Sequence, residues 1–238
     1  MANSKNTRRG YADTDEREFS DKNLEMLRKA QEEILWLLDR GYPIKNAVTF
    51  VGNHHLLSNR QRLALTRATS PTDAIVTREN KEVFVCDNQI ISIDGFNLII
   101  TLEVALSGSL LIKCMDGTIR DLAGLRGTYR LIDATDAAIL LIGKKLQSMN
   151  IAGAAFYLDA PVSNSGRLKT KIFELLGDSD YGISVDLINN VDAFLKDEAY
   201  VVTSDAIILN DCVSWFNMAE SIIIENISGA KCIDLRGC

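Results

Sequence analysis

Three short apolar runs each end in an aspartate, and this pattern limits the fold more than any other feature of the chain. Ile90-Ile91-Ser92-Ile93 leads to Asp94, Ala154-Ala155-Phe156-Tyr157-Leu158 to Asp159, and Tyr200-Val201-Val202-Thr203-Ser204 to Asp205. Such runs read as strands, and helical patterns lie between them at Leu98–Leu106, Asp136–Met149 and Gly166–Leu176. Strands alternating with helices predict a Rossmann-like α/β fold, with a mainly parallel sheet and helices on both faces. Further strands are expected at Glu82–Cys86, at Leu110–Cys114 before an Asp116-Gly117 turn, and at Ile222–Glu225.

The chain ahead of these strands has a different character. Leu24, Leu27, Ile34, Leu35 and Leu38 form a helical stripe, capped by Ser20 or Asp21 and ended by Gly41. Pro43 opens a second short helix that closes near Gly52-Asn53, and Ser58 with Gln61 forms a capping box for a third. Residues 1–20 read as a flexible lead-in, 21–69 as a small all-helical domain of possible helix-turn-helix type, 70–81 as a linker and 82–238 as the α/β domain. Such a helical domain serves either to contact nucleic acid or to pack against its neighbour.

Composition removes several classes of function. No apolar run approaches the roughly 20 residues of a membrane span, so no membrane partner is expected. Cys86, Cys114, Cys212, Cys232 and Cys238 show no CxxC spacing, which argues against a zinc ribbon or a disulfide framework and fits a reducing, cytoplasmic setting. His54 and His55 are the only histidines, adjacent on a helix and so pointing apart, with no G-x-S-x-G motif beside them. No G-x-G-x-x-G follows the first strand of the α/β domain. The net charge of −6 is unevenly spread. Residues 1–80 hold 13 Lys+Arg against 11 Asp+Glu, and residues 81–238 hold 13 against 21. A basic stretch from residue 40 to 80 leaves room for a polyanionic partner despite the overall acidity.

In an open parallel sheet the carboxyl ends of strands gather at one edge, where ligands bind. Asp94, Asp159 and Asp205 at that edge would repel one another unless a hard divalent cation sat among them. Mg²⁺ or Mn²⁺ takes such oxygen ligands and helps in phosphodiester hydrolysis. The alternative is that each aspartate simply caps the helix that follows. Asn97 is placed to cap a helix or to hydrogen-bond in the pocket. Ser163, Asn164, Ser165 and Arg167, entering a helix after Asp159, suit a phosphate as well as an ordinary turn. Arg120, Arg126 and Arg130 lie in a Gly- and Arg-rich stretch that reads either as a phosphate-gripping loop, with Tyr129 free to stack on a base, or as a salt-bridged surface loop. Glu103, a lone acid on an apolar helix, has either a buried partner or a site role. Asp133 and Asp136 read as helix-start acids, and either could complete a four-acid site.

Ile93-Asp94-Gly95-Phe96-Asn97 resembles the first-strand motif of NYN and PIN-like nucleases, and Val202-Thr203-Ser204-Asp205 resembles their late-strand acid motif. The two halves together resemble domain-of-unknown-function family 434, through Leu38-Asp39-Arg40-Gly41-Tyr42-Pro43, Val51-Gly52-Asn53 and Leu57-Ser58-Asn59-Arg60-Gln61-Arg62. Ile93–Leu106, Arg120–Arg130, Leu158–Arg167 and Thr203-Ser204-Asp205 carry the resemblance through the second half. The PIN-like resemblance implies a Mg²⁺- or Mn²⁺-dependent ribonuclease with a cluster of three or four acids, onto which Asp94 and Asp205 map, and the residue pattern above adds Asp159 as the third metal ligand. Glu103 or Asp136 would assist, and Asn97, Ser204 and the arginines would contact substrate. Asp159 sits in a loop that departs from the PIN pattern. RNA is then the expected partner, and a homodimer is allowed. The alternatives are a non-catalytic RNA-binding or scaffold protein on a degenerate PIN-like fold, and a small-molecule phosphohydrolase, although no D-x-D stands at the first strand.

Overall fold

The computed structural model describes residues 7–124 and 127–236. The first five helices are α1 (Asp15–Glu18), α2 (Asp21–Leu38), α3 (Ile44–His54), α4 (Asn59–Ala68) and α5 (Thr72–Lys81). Local chemistry sets their ends. Gly41 takes a positive φ of 81° after α2, Pro43 is the N-cap of α3, and Ser58 with Gln61 closes both halves of the expected capping box on α4. The segment expected to be a linker is helix α5. Its polar sequence buries only Arg78, so no apolar stripe marked it as helical.

The remainder contains the expected strands and helices around Asp94 and Asp159 and the expected strand before Asp205, together with elements not expected: β1 (Ile90–Asp94), α6 (Gly95–Leu106), β2 (Leu110–Lys113), β3 (Ile119–Asp121), α7 (Asp133–Ser148), β4 (Gly153–Asp159), α8 (Ser165–Leu176), β5 (Gly182–Ile188), α9 (Val191–Leu195), β6 (Val201–Val202), α10 (Ala206–Asp211), α11 (Met218–Asn226) and β7 (Lys231–Asp234). A four-stranded, all-parallel sheet runs in the order β5-β4-β1-β6. Side chains alternate across it. Ile91, Ile93, Phe156, Leu158 and Val202 join one large apolar cluster with α6, α7 and α8. Tyr157 and Val201 face the opposite way, into a smaller cluster with α9, α10 and Trp215.

Two expected strands are not strands. Glu82–Cys86 makes only an isolated bridge, Glu82 to Trp215, among the described residues; Cys86 is buried in the main core while Phe84 and Val85 are exposed. Ile222–Glu225 lies in helix α11, where Ile222 and Ile223 are buried against the main core and Ile224 is exposed, a helical and not a strand-like pattern.

A second sheet, ordered β3-β2-β7, links the two halves. Leu111 points into the main cluster, while Leu110, Ile112 and Cys114 point into a cluster shared with α2, α3 and α4. Leu122 and Leu235 complete that second cluster. The helical segment thus completes its core with residues from beyond position 81, and β2 is covered on both faces.

Candidate functional site at the carboxyl edge of the sheet

Strand β1 lies between β4 and β6, and the chain leaves β1 toward β4 but returns to β6 only after β5. The crevice at the carboxyl ends of β1 and β6 is therefore the point where strand order reverses, the usual ligand position in open α/β sheets. Asp94 ends β1 there and caps α6, its Oδ1 accepting from Asn97 N at 3.2 Å. Its Oδ2 accepts from Thr203 Oγ1 at 2.9 Å. The Thr203 hydroxyl also accepts from Asp205 N at 3.0 Å, so one side chain ties the two acidic segments together. Asn97 Oδ1 accepts from Ser204 N and Ser204 Oγ, at 2.8 and 2.9 Å. Asp205 caps α10 by accepting from Ile207 N and Ile208 N.

All three aspartates serve the scaffold, but two keep an oxygen in reserve. Asp159 Oδ1 accepts from Val191 N at 3.2 Å, and Asp205 Oδ1 accepts from the α10 amides. In each case Oδ2 bonds to no described residue. Burial pushes the Asp94 carboxyl up to about 7, against the pull of its hydrogen bonds from Thr203 and Asn97, and the charges of Asp205 and Asp192 add to the rise. Asp192, on α9, is also held above the usual carboxylate range, first by the protein packed around it and then by Asp205 and Asp159. Four carboxylates therefore sense one another along this edge. Asp192 escaped the sequence reading because it follows the unexpected strand β5.

The acids converge electrostatically without forming a closed cage. Among the described residues, no group of three or more His, Cys, Asp or Glu is placed to hold a metal ion. Asp94, Asp159 and Asp205 accordingly do not make such a group by themselves. Mg²⁺ sites commonly use one or two carboxylates and complete the shell with water and substrate phosphate. Asp94 and Asp205 stand at the two sides of the crevice, Asp94 with both oxygens already accepting hydrogen bonds and Asp205 with its Oδ2 bonded to no described residue.

Gly95 follows Asp94 for reasons of packing. A Cβ there would lie 2.6 Å from Leu158 Cδ2 and 3.2 Å from the Tyr157 carbonyl oxygen. The start of α6 can approach β4 only because position 95 has no side chain. Gly95→Ala is expected to cost about 1–3 kcal/mol through overpacking, read as a lowered midpoint in urea unfolding.

The other expected site residues lie elsewhere. Glu103 is fully buried and accepts from Arg9 Nε at 2.7 Å and Tyr129 OH at 2.6 Å, with the Thr135 hydroxyl as a third donor. The buried-partner reading of Glu103 therefore holds. Tyr129, expected to be free for stacking, is completely buried in that network. Asp136 is half exposed and pairs with Lys171 at 3.5 Å. The Ser163 hydroxyl accepts from Tyr129 N, and Asn164 Nδ2 donates to the Tyr129 carbonyl at 2.6 Å. Ser165 Oγ donates to the Ala160 carbonyl at 3.4 Å. Arg130 and Arg167 are exposed, and Arg126 lies outside the described residues.

Arg120 is not on a surface loop. It is a buried residue of β3, donating Nε to the Ser204 carbonyl at 2.6 Å and Nη1 to the Arg67 carbonyl. Its Nη2 meets Asp116 Oδ2 at 2.5 Å, and Arg78 Nη1 from α5 reaches the same oxygen at 2.6 Å. Burial opposes ionisation of Asp116, but Arg120, the Thr118 hydroxyl and Arg78 outweigh it and hold the group below the usual carboxylate range. This triad braces the loop that carries Ser204 and Asp205. Beside it opens a cleft of about 780 Å³, lined by residues of the helical segment and by Asn97, Ser204 and Asp205.

The two halves match two family models. Residues 26–81 match Protein of unknown function (DUF434), and residues 83–221 match Domain of unknown function (DUF5616). The chain is 36% identical over 185 residues to the uncharacterized protein MJ0935 of Methanocaldococcus jannaschii, a match covering 77% of this chain and 88% of that one. No solved structure matches the chain. Among the described residues no helix is long and apolar enough to cross a membrane. On these matches the chain belongs to the DUF5616 family, with a DUF434 segment ahead of that domain.

Proposed function

We propose that this protein is a metal-dependent nuclease on a PIN-like fold, hydrolysing phosphodiester bonds in RNA at the crevice between β1 and β6. The observation that carries the reading is the Asp94–Thr203–Asp205 arrangement. One hydroxyl joins two acidic segments at the switch point of a parallel sheet, and further carboxylates raise the local negative potential. Hard oxygen donors in such a place suit Mg²⁺ or Mn²⁺, held by Asp94 and Asp205. A bound divalent ion would neutralise charge on the phosphodiester and make a water more acidic. The chain's own residues keep the acids in register. Thr203 orients Asp94, Asn97 fixes the Ser204 backbone, and Arg120 anchors the Ser204 carbonyl from behind.

A second reading follows from the lack of a closed acidic cage among the described residues: a non-catalytic RNA-binding protein on the same scaffold. Calorimetric titration with Mn²⁺ separates the two. The nuclease reading expects stoichiometric binding that falls at least about tenfold in Asp94→Asn and in Asp205→Asn, a loss of 1.4 kcal/mol or more. No Mn²⁺ binding by the wild type would favour the second.

A further inference from the structure

The cleft beside the acidic crevice has the features of a ligand site in its own right. Its size, about 780 Å³, falls within the range of small-molecule pockets. Arg67, Arg78 and Arg120 line it together with Thr69, Tyr42 and Ile44.

Three observations describe what would fill it. The first is charge. Arg78 and Arg120 are both buried, and both pair with the single carboxylate of Asp116. Arg67 is matched by Asp121 at 3.1 Å. The buried triad thus carries one more positive charge than negative, and Asp205 acts on its two guanidiniums only through space. An anion entering the cleft would meet that surplus. The second is an unmet hydrogen bond. Thr69 lines the same cleft, and its Oγ1 is buried with no hydrogen-bond partner among the described residues. Groups of this kind ordinarily find a partner. The third is an aromatic wall. Tyr42 is 55% exposed and stands with Leu38 and Ile44 in the lining, a flat apolar surface beside a cationic one.

We propose that this cleft binds a nucleoside monophosphate unit, its phosphate held at the Arg67–Arg78 side and its base laid against Tyr42. The choice of a nucleotide rests on the nuclease reading, because the cleft opens onto Asn97, Ser204 and Asp205. The same unit would be the terminal or flanking nucleotide of an RNA strand whose next phosphate reaches the crevice.

Calorimetric titration of the full chain in EDTA, with each of the four nucleoside 5′-monophosphates, tests binding apart from turnover. Inorganic phosphate and the parent nucleosides serve as comparators. At least one monophosphate is expected to bind about tenfold or more tightly than either comparator. Arg67→Ala and Tyr42→Ala should each weaken it by about fivefold or more, the scale of one lost charge-assisted or stacking contact. Tyr42 is half exposed, so Tyr42→Ala tests the site without disturbing the core, and circular dichroism melting checks that both variants are folded. Absence of binding by any monophosphate, inorganic phosphate binding as tightly as the nucleotide, or unchanged affinity in both folded variants would overturn the proposal. Nucleotide binding without RNA cleavage would leave the cleft assignment standing and remove the nuclease. Cleavage without nucleotide binding would do the reverse.

Discussion

Asp116→Ala is expected to destabilise the protein by about 3–5 kcal/mol, the cost of leaving buried charge without its partner. Arg78 and Arg120 would both lose their carboxylate while remaining 2% and 7% exposed in their side chains. Neither can escape to solvent without moving α5 or β3. At this chain length the loss corresponds to a melting temperature lower by about 10 °C. The effect has a pH signature. Because the folded-state pKa of Asp116 lies below its ordinary 3.8, the stability it contributes is complete above that value and is lost as pH falls through the lowered one. The gap between wild type and variant, measured by urea unfolding, should therefore be wide at pH 7 and should narrow as pH falls below about 3.8. A gap of equal size at every pH would mean that packing, not charge, is what Asp116 supplies. Asp116→Asn, which keeps the shape, should lose nearly as much at pH 7.

Asp94→Asn is expected to do the opposite. The unfolded chain ionises Asp94 near 3.8, whereas the folded chain holds its proton up to about 7. The favourable contribution of this group is therefore complete below 3.8 and is lost as pH rises through 7. Above that pH the protein bears the full cost of a buried carboxylate, on the order of 4 kcal/mol for a shift of this size. Asparagine has nothing to ionise and can still accept from Asn97 N. The variant should be more stable than wild type by about 2–4 kcal/mol at pH 8, with the advantage shrinking toward zero by pH 4. Thermal melts at pH 4, 6 and 8 would show it. A variant less stable at pH 8 would mean that the carboxylate is already compensated in the folded protein.

Much of this edge is legible in the sequence, for a local reason. Asp94, Asp159 and Asp205 each follow a short buried strand, and a strand's apolar run and its terminal acid are neighbours in sequence. Asn97 and Ser204 were legible for the same reason, being within three residues of those acids. The Arg78–Asp116–Arg120 triad was not, because its members come from α5, the β2–β3 turn and β3. Nothing local distinguishes Arg78 from a solvated helix arginine. Glu103 gave half of its answer: a lone acid on an apolar helix announced a partner, but Arg9 lies 94 residues away. Strand β5 was missed because it is the edge of its sheet. Gly182-Ile183-Ser184-Val185-Asp186-Leu187-Ile188 buries only Val185 fully and lacks the apolar density of β1 or β4. With β5 missed, Asp192 had no strand to follow. The α11 segment erred in the other direction. Its run of isoleucines has strand propensity, and burial against α6 and α7 overrides it.

The most direct test of the nuclease is cleavage of end-labelled single-stranded RNA and tRNA by the wild type, Asp94→Asn and Asp205→Asn, each in Mn²⁺, Mg²⁺ or EDTA. The predicted result is cleavage by the wild type that requires the divalent ion and falls by about a hundredfold or more in both variants, roughly the 3 kcal/mol that loss of one transition-state contact costs. Cleavage by none of the three, or equal cleavage by all of them, would contradict it.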